Sequence, residues 1–258
     1  MKLLSLNCNG IRSASTKGLE SFIEKNNFDI LCFQEIKALE SDINLKFYQN
    51  LNYTSILFPA EKKGYSGTAI FTKLKFQNFE TGLSPDLLPE EGRLIKVSFD
   101  DFILINSYFP SGSSGEERQN YKFKFLDNIN TYLKRYNLSR EKIILTGDIN
   151  IAHREIDIHD PIRNKNSSGF LESERAFLDN FLKSGWTDCF RYINGDIKDA
   201  YSWWTYRSGA RKKNKGWRID YFFATDQLLK NIIDCGIYTD MFFSDHAPIY
   251  LDLKFSKK

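Results

Sequence analysis

The sequence predicts an α/β fold with β-sheets in the protein interior. Apolar runs of about four to eight residues, the length of buried strands, recur along the 258 residues. Segments with helical periodicity lie between these runs. No repeat, low-complexity tract or linker divides the sequence. We therefore expect residues 1–258 to form a single α/β domain.

Strands are assigned to the apolar runs that end at polar or turn-forming residues. They are Lys2–Leu6, Ile30–Gln34, Tyr53–Phe58, Thr68–Phe71, Leu94–Phe99, Phe102–Ser107, Ile143–Thr146, Ile219–Ala224 and Ile249–Phe255. Asp100 and Asp101 separate two of these runs, as the turn of a β-hairpin does.

Three longer segments are assigned to helices, because their apolar residues recur at helical spacing. They are Lys17–Lys25, Glu117–Arg135 and Glu172–Lys183. For the last segment we expect Phe170, Phe177, Leu178 and Phe181 to share a face, and Gly185 marks the end of the helix. The long polar loops that remain are the expected places for binding residues. They are Ala60–Gly67, Pro110–Glu116, His153–Gly169 and Ser208–Gly216.

The composition is that of a soluble globular protein, with 41% hydrophobic and 27% charged residues. No apolar run approaches the roughly 20 residues of a membrane span. The first residues become polar too soon for a secretion signal, so we expect a cytoplasmic location, or a nuclear one in a eukaryote. The four cysteines have no metal-binding spacing and predict reduced, buried thiols.

The net charge of +3 is too small to indicate a partner, but positive charge is concentrated in one segment. The cations are Arg211, Lys212, Lys213 and Lys215, and the aromatic residues near them are Trp203, Trp204, Tyr206 and Trp217. A basic loop framed by aromatic rings is typical of nucleic-acid binding. A solvated surface loop is the alternative.

Oxygen-bearing side chains follow several of the predicted strands. They are Asn7 and Asn9, Glu35, Asp148 and Asn150, and Asp245 beside His246. Residues two apart in an extended backbone point the same way, so each amide or carboxylate pair faces one pocket. For Asp148 and Asn150 the alternative is a local turn. For Glu35 it is a salt bridge to Lys37 or a helix cap.

Three further residues are candidates for the same pocket. Asp220 lies within an apolar run, and a buried carboxylate there would fix the tautomer of His246 and stabilise its charged form. A structural histidine is the alternative. Tyr108 ends a strand and offers a phenol for a phosphate oxygen, or packs in the core. Carboxylates and amides with one histidine indicate a hard cation such as Mg²⁺ and phosphate chemistry.

Seven segments, in this order along the chain, resemble the signatures of exonuclease III-type apurinic/apyrimidinic (AP) endonucleases, within the endonuclease/exonuclease/phosphatase superfamily. They are Asn7–Arg12, Leu31–Lys37, Gly64–Gly67, Tyr108–Pro110, Gly147–His153, Gly216–Tyr221 and Ser244–Pro248. The resemblance implies a four-layered α/β sandwich, with two packed mixed β-sheets flanked by helices. It also implies hydrolysis on the 5′ side of an abasic site, leaving a 3′-hydroxyl and a 5′-deoxyribose phosphate.

The resemblance also implies roles for the polar residues. Glu35 would be the principal Mg²⁺ ligand with Asn9 and Asp245 nearby, and Mn²⁺ is expected to substitute. Asn7, Asp148 and Asn150 would position or activate the attacking water. His246, held by Asp220, and Tyr108 would contact the scissile phosphate. The number of metal ions and the identity of the general base stay open.

Contacts with DNA follow from the same resemblance. The apolar pocket for an extruded abasic sugar would consist of Trp203, Trp217 and Ile219, and Arg207 would enter the duplex. Backbone phosphates would be held by Arg12, Lys62, Lys63, Arg93, Arg211, Lys212, Lys213 and Lys215. Two departures stand out. Asn9 occupies a position where some members have Asp, and Ser111 one where many have Asn or Gln for a phosphate contact.

The expected protein is a monomeric DNA repair nuclease acting on double-stranded DNA with abasic sites or blocked 3′ ends. By resemblance it would also have 3′-phosphodiesterase and 3′→5′ exonuclease activity. The alternatives within enzymes are a phosphodiesterase for damaged-base DNA or for non-nucleic phosphate esters such as lipid or inositol phosphates. The alternative outside enzymes is a DNA-binding protein without catalysis, which predicts the loss of Glu35, Asp148 or His246.

Overall fold

A computed structural model describes residues 1–83 and 91–255. In that part of the chain twelve strands form two six-stranded sheets. The strands are β1 (Lys2–Asn7), β2 (Ile30–Gln34), β3 (Thr54–Phe58), β4 (Thr68–Thr72), β5 (Asn78–Thr81), β6 (Leu94–Ser98), β7 (Ile103–Tyr108), β8 (Ile143–Asp148), β9 (Trp186–Asp188), β10 (Asp220–Thr225), β11 (Ile232–Ile237) and β12 (Ile249–Leu253). Their orders are β11-β12-β1-β2-β4-β3 and β5-β6-β7-β8-β10-β9.

Both sheets are mixed, and their pairing directs several strand ends to one edge. Strands β1 and β2 are parallel, with Asn7 opposite Gln34. Strands β7 and β8 are also parallel, with Tyr108 opposite Asp148. Strand β10 runs antiparallel to β8, so its first residue, Asp220, lies opposite the last residue of β8. The register therefore gathers polar strand ends from both sheets.

The two sheets pack face to face, which explains the continuous apolar runs in the sequence. Leu3, Ile30 and Ile70 of one sheet share a buried cluster with Leu104 and Phe222 of the other. Each such side chain contributes about 1.5–3 kcal/mol when fully buried. The alternate residues of the same strands, such as Leu4 and Leu145, face two outer clusters.

Helices cover those outer faces and complete four layers. They are α1 (Ile11–Thr16), α2 (Leu19–Asn26), α3 (Leu45–Asn50), α4 (Glu116–Leu133), α5 (Pro161–Asn164), α6 (Glu172–Lys183), α7 (Cys189–Asn194) and α8 (Asp226–Leu229). Helices α1 to α3 pack on the first sheet, and α4 and α6 pack on the second. The predicted α/β sandwich is confirmed. Within residues 1–83 and 91–255, no helix has the length and apolar character needed to cross a membrane.

The secondary structure agrees with the sequence for the long elements. Each predicted strand and helix is present with ends shifted by up to two residues, and Asp100 and Asp101 lie in the β6–β7 hairpin turn. The sequence missed β5, β9 and β11, which are edge strands. Strand β5 is exposed throughout and β9 has three residues, so neither has an apolar run. The sequence also missed the helices of four to six residues, which are too short to show a helical apolar pattern. They are α1, α3, α5, α7 and α8. All four cysteines are free and buried, as predicted.

Candidate active site

A cavity of about 540 Å³ opens at the edge where the polar strand ends meet. Its walls include most of the polar residues singled out in the sequence, which are Glu35, Tyr108, Ser111, Asp148, Asn150, Asp245 and His246. An apolar part is lined by Trp203, Trp217 and Ile219. Residues separated by more than 200 positions in the sequence therefore surround one space.

The backbone around the cavity adopts unusual conformations. Asn9, Glu35 and Asn150 have φ angles of 44°, 46° and 55°, in a region that residues with side chains rarely occupy. Gly147 has a φ of 135°, and a Cβ there would lie 1.9 Å from the Ser107 carbonyl oxygen. Strained positions of this kind concentrate at functional sites.

Asn7 connects two carboxylates across the interface between the sheets. Its Nδ2 donates to Glu35 Oε1 and to Asp148 Oδ2, both at 2.8 Å. Asn150 donates to the Asp148 carboxylate through its backbone nitrogen, at 2.9 Å, and through Nδ2, at 3.0 Å. Asp148 is thus held by three donors, and both of its oxygens are oriented.

His246 and Asp220 form a buried pair beside Asp148. His246 Nδ1 lies 2.9 Å from Asp220 Oδ2, and Ser202 Oγ donates to the same oxygen at 2.6 Å. His246 Nε2 faces Asp148 Oδ2 at 3.9 Å. Burial would lower the pKa of His246, but the Asp220 and Asp148 carboxylates outweigh it and raise that pKa. Burial raises the pKa of Asp148, and His246 opposes this shift. A charged imidazole between two carboxylates is favoured.

A lysine links two of the predicted metal ligands, Glu35 and Asn9. Lys37 Nζ lies 2.7 Å from Glu35 Oε2 and 2.6 Å from Asn9 Oδ1. Asn9 Nδ2 in turn donates to Asp245 Oδ1 at 3.0 Å. Burial would raise the pKa of Glu35, but Lys37 and Asn7 lower it further than burial raises it. The salt bridge to Lys37 considered as the alternative for Glu35 is present, and Glu35 also lines the cavity.

Two donor sets could hold a metal ion. The first is Asp148, Asp220 and His246, whose ligand atoms all lie within 4.8 Å of one another. The second is the set that the resemblance implies, Glu35, Asp245 and Asn9, which are connected through Lys37 and the Asn9 amide. We favour the second set for a hard cation, because all of its donors are oxygens. The Lys37 ammonium between Glu35 and Asn9 also shows that these oxygens attract a positive charge. In the first set Asp220 is already engaged, because its Oδ2 pairs with His246 Nδ1 and accepts a hydrogen bond from Ser202 Oγ.

The apolar wall is built from two tryptophans whose rings meet edge to face, with centroids 5.9 Å apart. Ile219 packs with them against Ile158 and Phe170. Trp203 also donates from Nε1 to Asp245 Oδ2 at 3.1 Å, so the apolar wall and the polar residues are directly connected. This wall lies beside the carboxylates and offers space for an uncharged ring.

Most residues predicted to contact DNA are exposed. They are Arg12, Lys62, Lys63, Arg207, Lys212, Lys213 and Lys215. Arg211 differs, because it donates to the backbone carbonyls of Ser244, Thr239 and Met241. Its guanidinium lies between the rings of Trp204 and Phe242, at 4.5 and 4.3 Å. We therefore assign Arg211 to holding the segment that carries Asp245, rather than to a free phosphate contact.

Arg93 requires a correction. The sequence prediction made it a phosphate contact, but only 3% of the residue is exposed. Its guanidinium binds Glu91 Oε2 at 2.5 Å and donates to the Tyr108 carbonyl oxygen at 3.0 Å. A buried guanidinium with a carboxylate partner is not available to a DNA phosphate.

Sequence reasoning also missed several supporting residues. Lys122 is fully buried and donates to the Asn150 carbonyl oxygen at 2.8 Å and to Glu174 at 2.5 Å. Ser167 and Ser168 add hydroxyls to the cavity. Their signals in the sequence are single polar residues without a pattern. His153 is buried, with Nε2 2.8 Å from Asp179 Oδ1, and His159 is partly buried.

Comparisons with known proteins cover nearly the whole chain. A model of the Endonuclease/Exonuclease/phosphatase family matches residues 4–246. An exodeoxyribonuclease of Bacillus subtilis (strain 168) is 37% identical over 255 residues, 97% of this chain and 98% of that protein. A DNA-(apurinic or apyrimidinic site) endonuclease of Dictyostelium discoideum is 37% identical over 252 residues, 96% of this chain and 69% of that protein. The solved structure of an AP endonuclease from Archaeoglobus fulgidus has a TM-score of 0.89 and 28% identity, covering 99% of this chain and 100% of that one.

Proposed function

This chain belongs to the endonuclease/exonuclease/phosphatase family, and from that premise we propose that it is a metal-dependent DNA repair nuclease. It hydrolyses the phosphodiester on the 5′ side of abasic sites, and it also acts on blocked 3′ ends and as a 3′→5′ exonuclease. The observation that carries the proposal is the cavity itself, where a carboxylate, amide and imidazole cluster adjoins a wall of two tryptophans. It works as a monomer, with the whole chain as one domain.

Glu35, Asp245 and the Asn9 amide would hold the cation of this reaction, which we propose to be Mg²⁺, with Mn²⁺ as a substitute. An all-oxygen donor set with two ionised carboxylates fits a hard divalent ion. The pKa of Asp245, which burial alone would raise, is lowered by His246 and Asn9, so this carboxylate is charged at neutral pH. When bound, the ion supplies positive charge beside the phosphate oxygens.

Side chains of the protein bind the attacking water and the phosphate. Asp148, oriented by Asn7 and Asn150, accepts a hydrogen bond from the attacking water. His246 donates from Nε2 to a phosphate oxygen, because Asp220 occupies its Nδ1 side. The Tyr108 hydroxyl donates a hydrogen bond to the same phosphate. Together these donors stabilise the charge that develops during hydrolysis.

The tryptophan wall provides the selectivity for abasic sites. A sugar without a base fits a small apolar pocket between Trp203, Trp217 and Ile219, whereas a complete nucleotide is too large and must also be unstacked, at about a few kcal/mol. The exposed cations Lys62, Lys63 and Lys213 hold the DNA backbone around this pocket.

A role on lipid or inositol phosphates is the weaker candidate. It gives no reason for two tryptophans beside the carboxylates or for a basic loop next to them. Loss of catalysis is also disfavoured, because Glu35, Asp148 and His246 are all present and gathered in one cavity.

The test is a labelled duplex with one tetrahydrofuran abasic analogue, incubated with the protein in Mg²⁺ or in EDTA. Tetrahydrofuran cannot undergo β-elimination, so a nick requires hydrolysis. We expect a Mg²⁺-dependent cut immediately 5′ of the analogue and none in the same duplex with an intact nucleotide. A folded protein that leaves the duplex intact would contradict the proposal.

A further inference from the structure

A group of three charged residues and one tyrosine lies behind Tyr108 and has no part in the roles assigned so far. It consists of Arg93, Glu91, Arg118 and Tyr65, which we call the Arg93 brace. The inference drawn from it rests on the proposed function, because it concerns how Tyr108 is presented to the phosphate.

Arg93 contacts Tyr108 in two ways. Its Nη1 donates to the backbone carbonyl oxygen of Tyr108 at 3.0 Å, and its guanidinium carbon lies 4.5 Å from the centre of the phenol ring. The backbones are also paired, since Tyr108 N donates to Arg93 O at 2.8 Å. One residue therefore fixes both the backbone and the ring face of Tyr108.

The rest of the brace prevents Arg93 from moving. Its Nε lies 2.5 Å from Glu91 Oε2, and its Nη2 donates to the Tyr65 hydroxyl at 3.2 Å. Arg118, at the start of α4, binds Glu91 Oε1 at 3.1 Å and the Tyr65 hydroxyl at 2.9 Å. A planar guanidinium held on two edges is a rigid support, because its donors have fixed directions.

The surroundings of the Tyr108 hydroxyl explain why a support is needed. Tyr108 is 8% exposed and its phenol lies near the carboxylates Glu35 and Asp148. The phenol is a donor in this setting, and nearby carboxylates compete with the substrate for it.

We propose that Arg93 is a positioning residue, which holds the Tyr108 ring so that its hydroxyl stays at the cavity wall beside Glu35, within reach of the phosphate oxygen. Tyr65 extends the brace to the loop 60–67, which carries the exposed Lys62 and Lys63. Among the described residues, the hydrogen bonds of the Arg93 side chain go to Glu91, Tyr108 and Tyr65, and none goes to a proposed metal ligand.

A double-mutant cycle tests this with Arg93→Met and Tyr108→Phe, in the wild-type background and combined. If Arg93 acts through the Tyr108 hydroxyl, Arg93→Met lowers kcat about tenfold with KM nearly unchanged. The same change has less than about a twofold effect once the hydroxyl is absent. Arg93→Lys keeps the charge without the planar fork and restores kcat only in part.

Two controls separate positioning from stability. Arg135 is the matched residue, because it also stacks on a tyrosine, Tyr132 at 3.8 Å, and pairs with a glutamate, Glu80 at 2.8 Å, away from the cavity. Arg135→Met should leave kcat unchanged. Thermal unfolding is recorded for each variant, and Glu91→Gln, which keeps the shape of the brace, replaces Arg93→Met in the cycle if the latter does not fold.

Each outcome bears on the inference. Effects of Arg93→Met and Tyr108→Phe that multiply independently, or an unchanged kcat in Arg93→Met, would overturn it. The wild type, the two single variants of the cycle and the double variant are also assayed on bis(p-nitrophenyl) phosphate, a small activated diester. Failure of the wild type on abasic DNA with turnover of this diester would count against the proposed function, while the cycle on the diester would still decide the role of Arg93.

Discussion

The two halves of the cavity balance their charge in different ways. On one side Glu35 and Asn9 face a lysine ammonium, Lys37, whose side chain is 29% exposed. On the other side Asp148 and Asp220 surround His246, whose side chain is 5% exposed. We propose that a metal ion replaces the Lys37 ammonium in the first half. The second half contains its own positive charge, fixed on an imidazole.

From this difference we infer that the acidic residues serve two functions, with Glu35 binding the metal ion and Asp148 acting on the water. Asn7 joins the halves by donating to Glu35 and Asp148 at equal distances of 2.8 Å. The positive charge of each half comes from a different residue, so a substitution can alter one half at a time. The expected effects differ in size and kind.

The largest effect is expected for Asp148→Asn. It removes the acceptor that we propose for the attacking water, so it should lower the rate of cleavage by about 10⁴-fold. Binding of tetrahydrofuran DNA, followed by fluorescence anisotropy, should change little because the tryptophan wall is intact. Near-normal turnover by this variant would remove Asp148 from its role.

Asp220→Asn should have the next largest effect, lowering kcat by about 10²–10³-fold. Asp220 contributes to the raised pKa of His246, so the charged imidazole persists in the wild type well above neutral pH. Without this carboxylate the pKa falls, and the activity should decline at a lower pH on the alkaline side. A pH–rate profile of kcat checks this, and an alkaline limb at the wild-type position would contradict it.

A smaller effect is expected for Lys37→Met in the other half. The change removes a cation that competes with a metal ion for Glu35, so the Mg²⁺ concentration for half-maximal activity should fall about tenfold. Lys17, exposed on the surface, serves as the matched control in Lys17→Met. An unchanged Mg²⁺ requirement in both variants would show that Lys37 and the ion do not share a position.

The smallest change in the chemistry is expected for Trp217→Ala, which opens the apolar wall. Hydrolysis itself should be reduced by less than about tenfold, whereas the preference for abasic over intact DNA should fall by about 10–100-fold. The measurement is kcat/KM on paired duplexes that differ only at the abasic position. A constant ratio would refute the assignment of the pocket.

The sequence predicted the sheets and the polar strand ends well, and physical reasons explain which parts were missed. Buried strands such as β2 and β8 carry continuous apolar runs, and Glu35 and Asp148 stand out at their ends. Edge strand β5 carries no such signal, because it is exposed on both faces.

Individual partners were harder to predict than positions. A sequence shows that Arg93 is charged, but not that Glu91, two residues away, turns it inward. It also does not reveal that Arg211 caps three carbonyls of the segment preceding Asp245. Such pairings depend on side-chain directions that only the packed sheets determine.

The most direct test of the two-part cavity is calorimetric titration of Mg²⁺ into Glu35→Gln and into Asp148→Asn. Both substitutions remove one negative charge near the same amide of Asn7. We predict that Glu35→Gln abolishes the binding isotherm and that Asp148→Asn retains it with at most a modest loss of affinity. Retained binding in Glu35→Gln together with loss in Asp148→Asn would place the ion at Asp148, Asp220 and His246 and contradict the account.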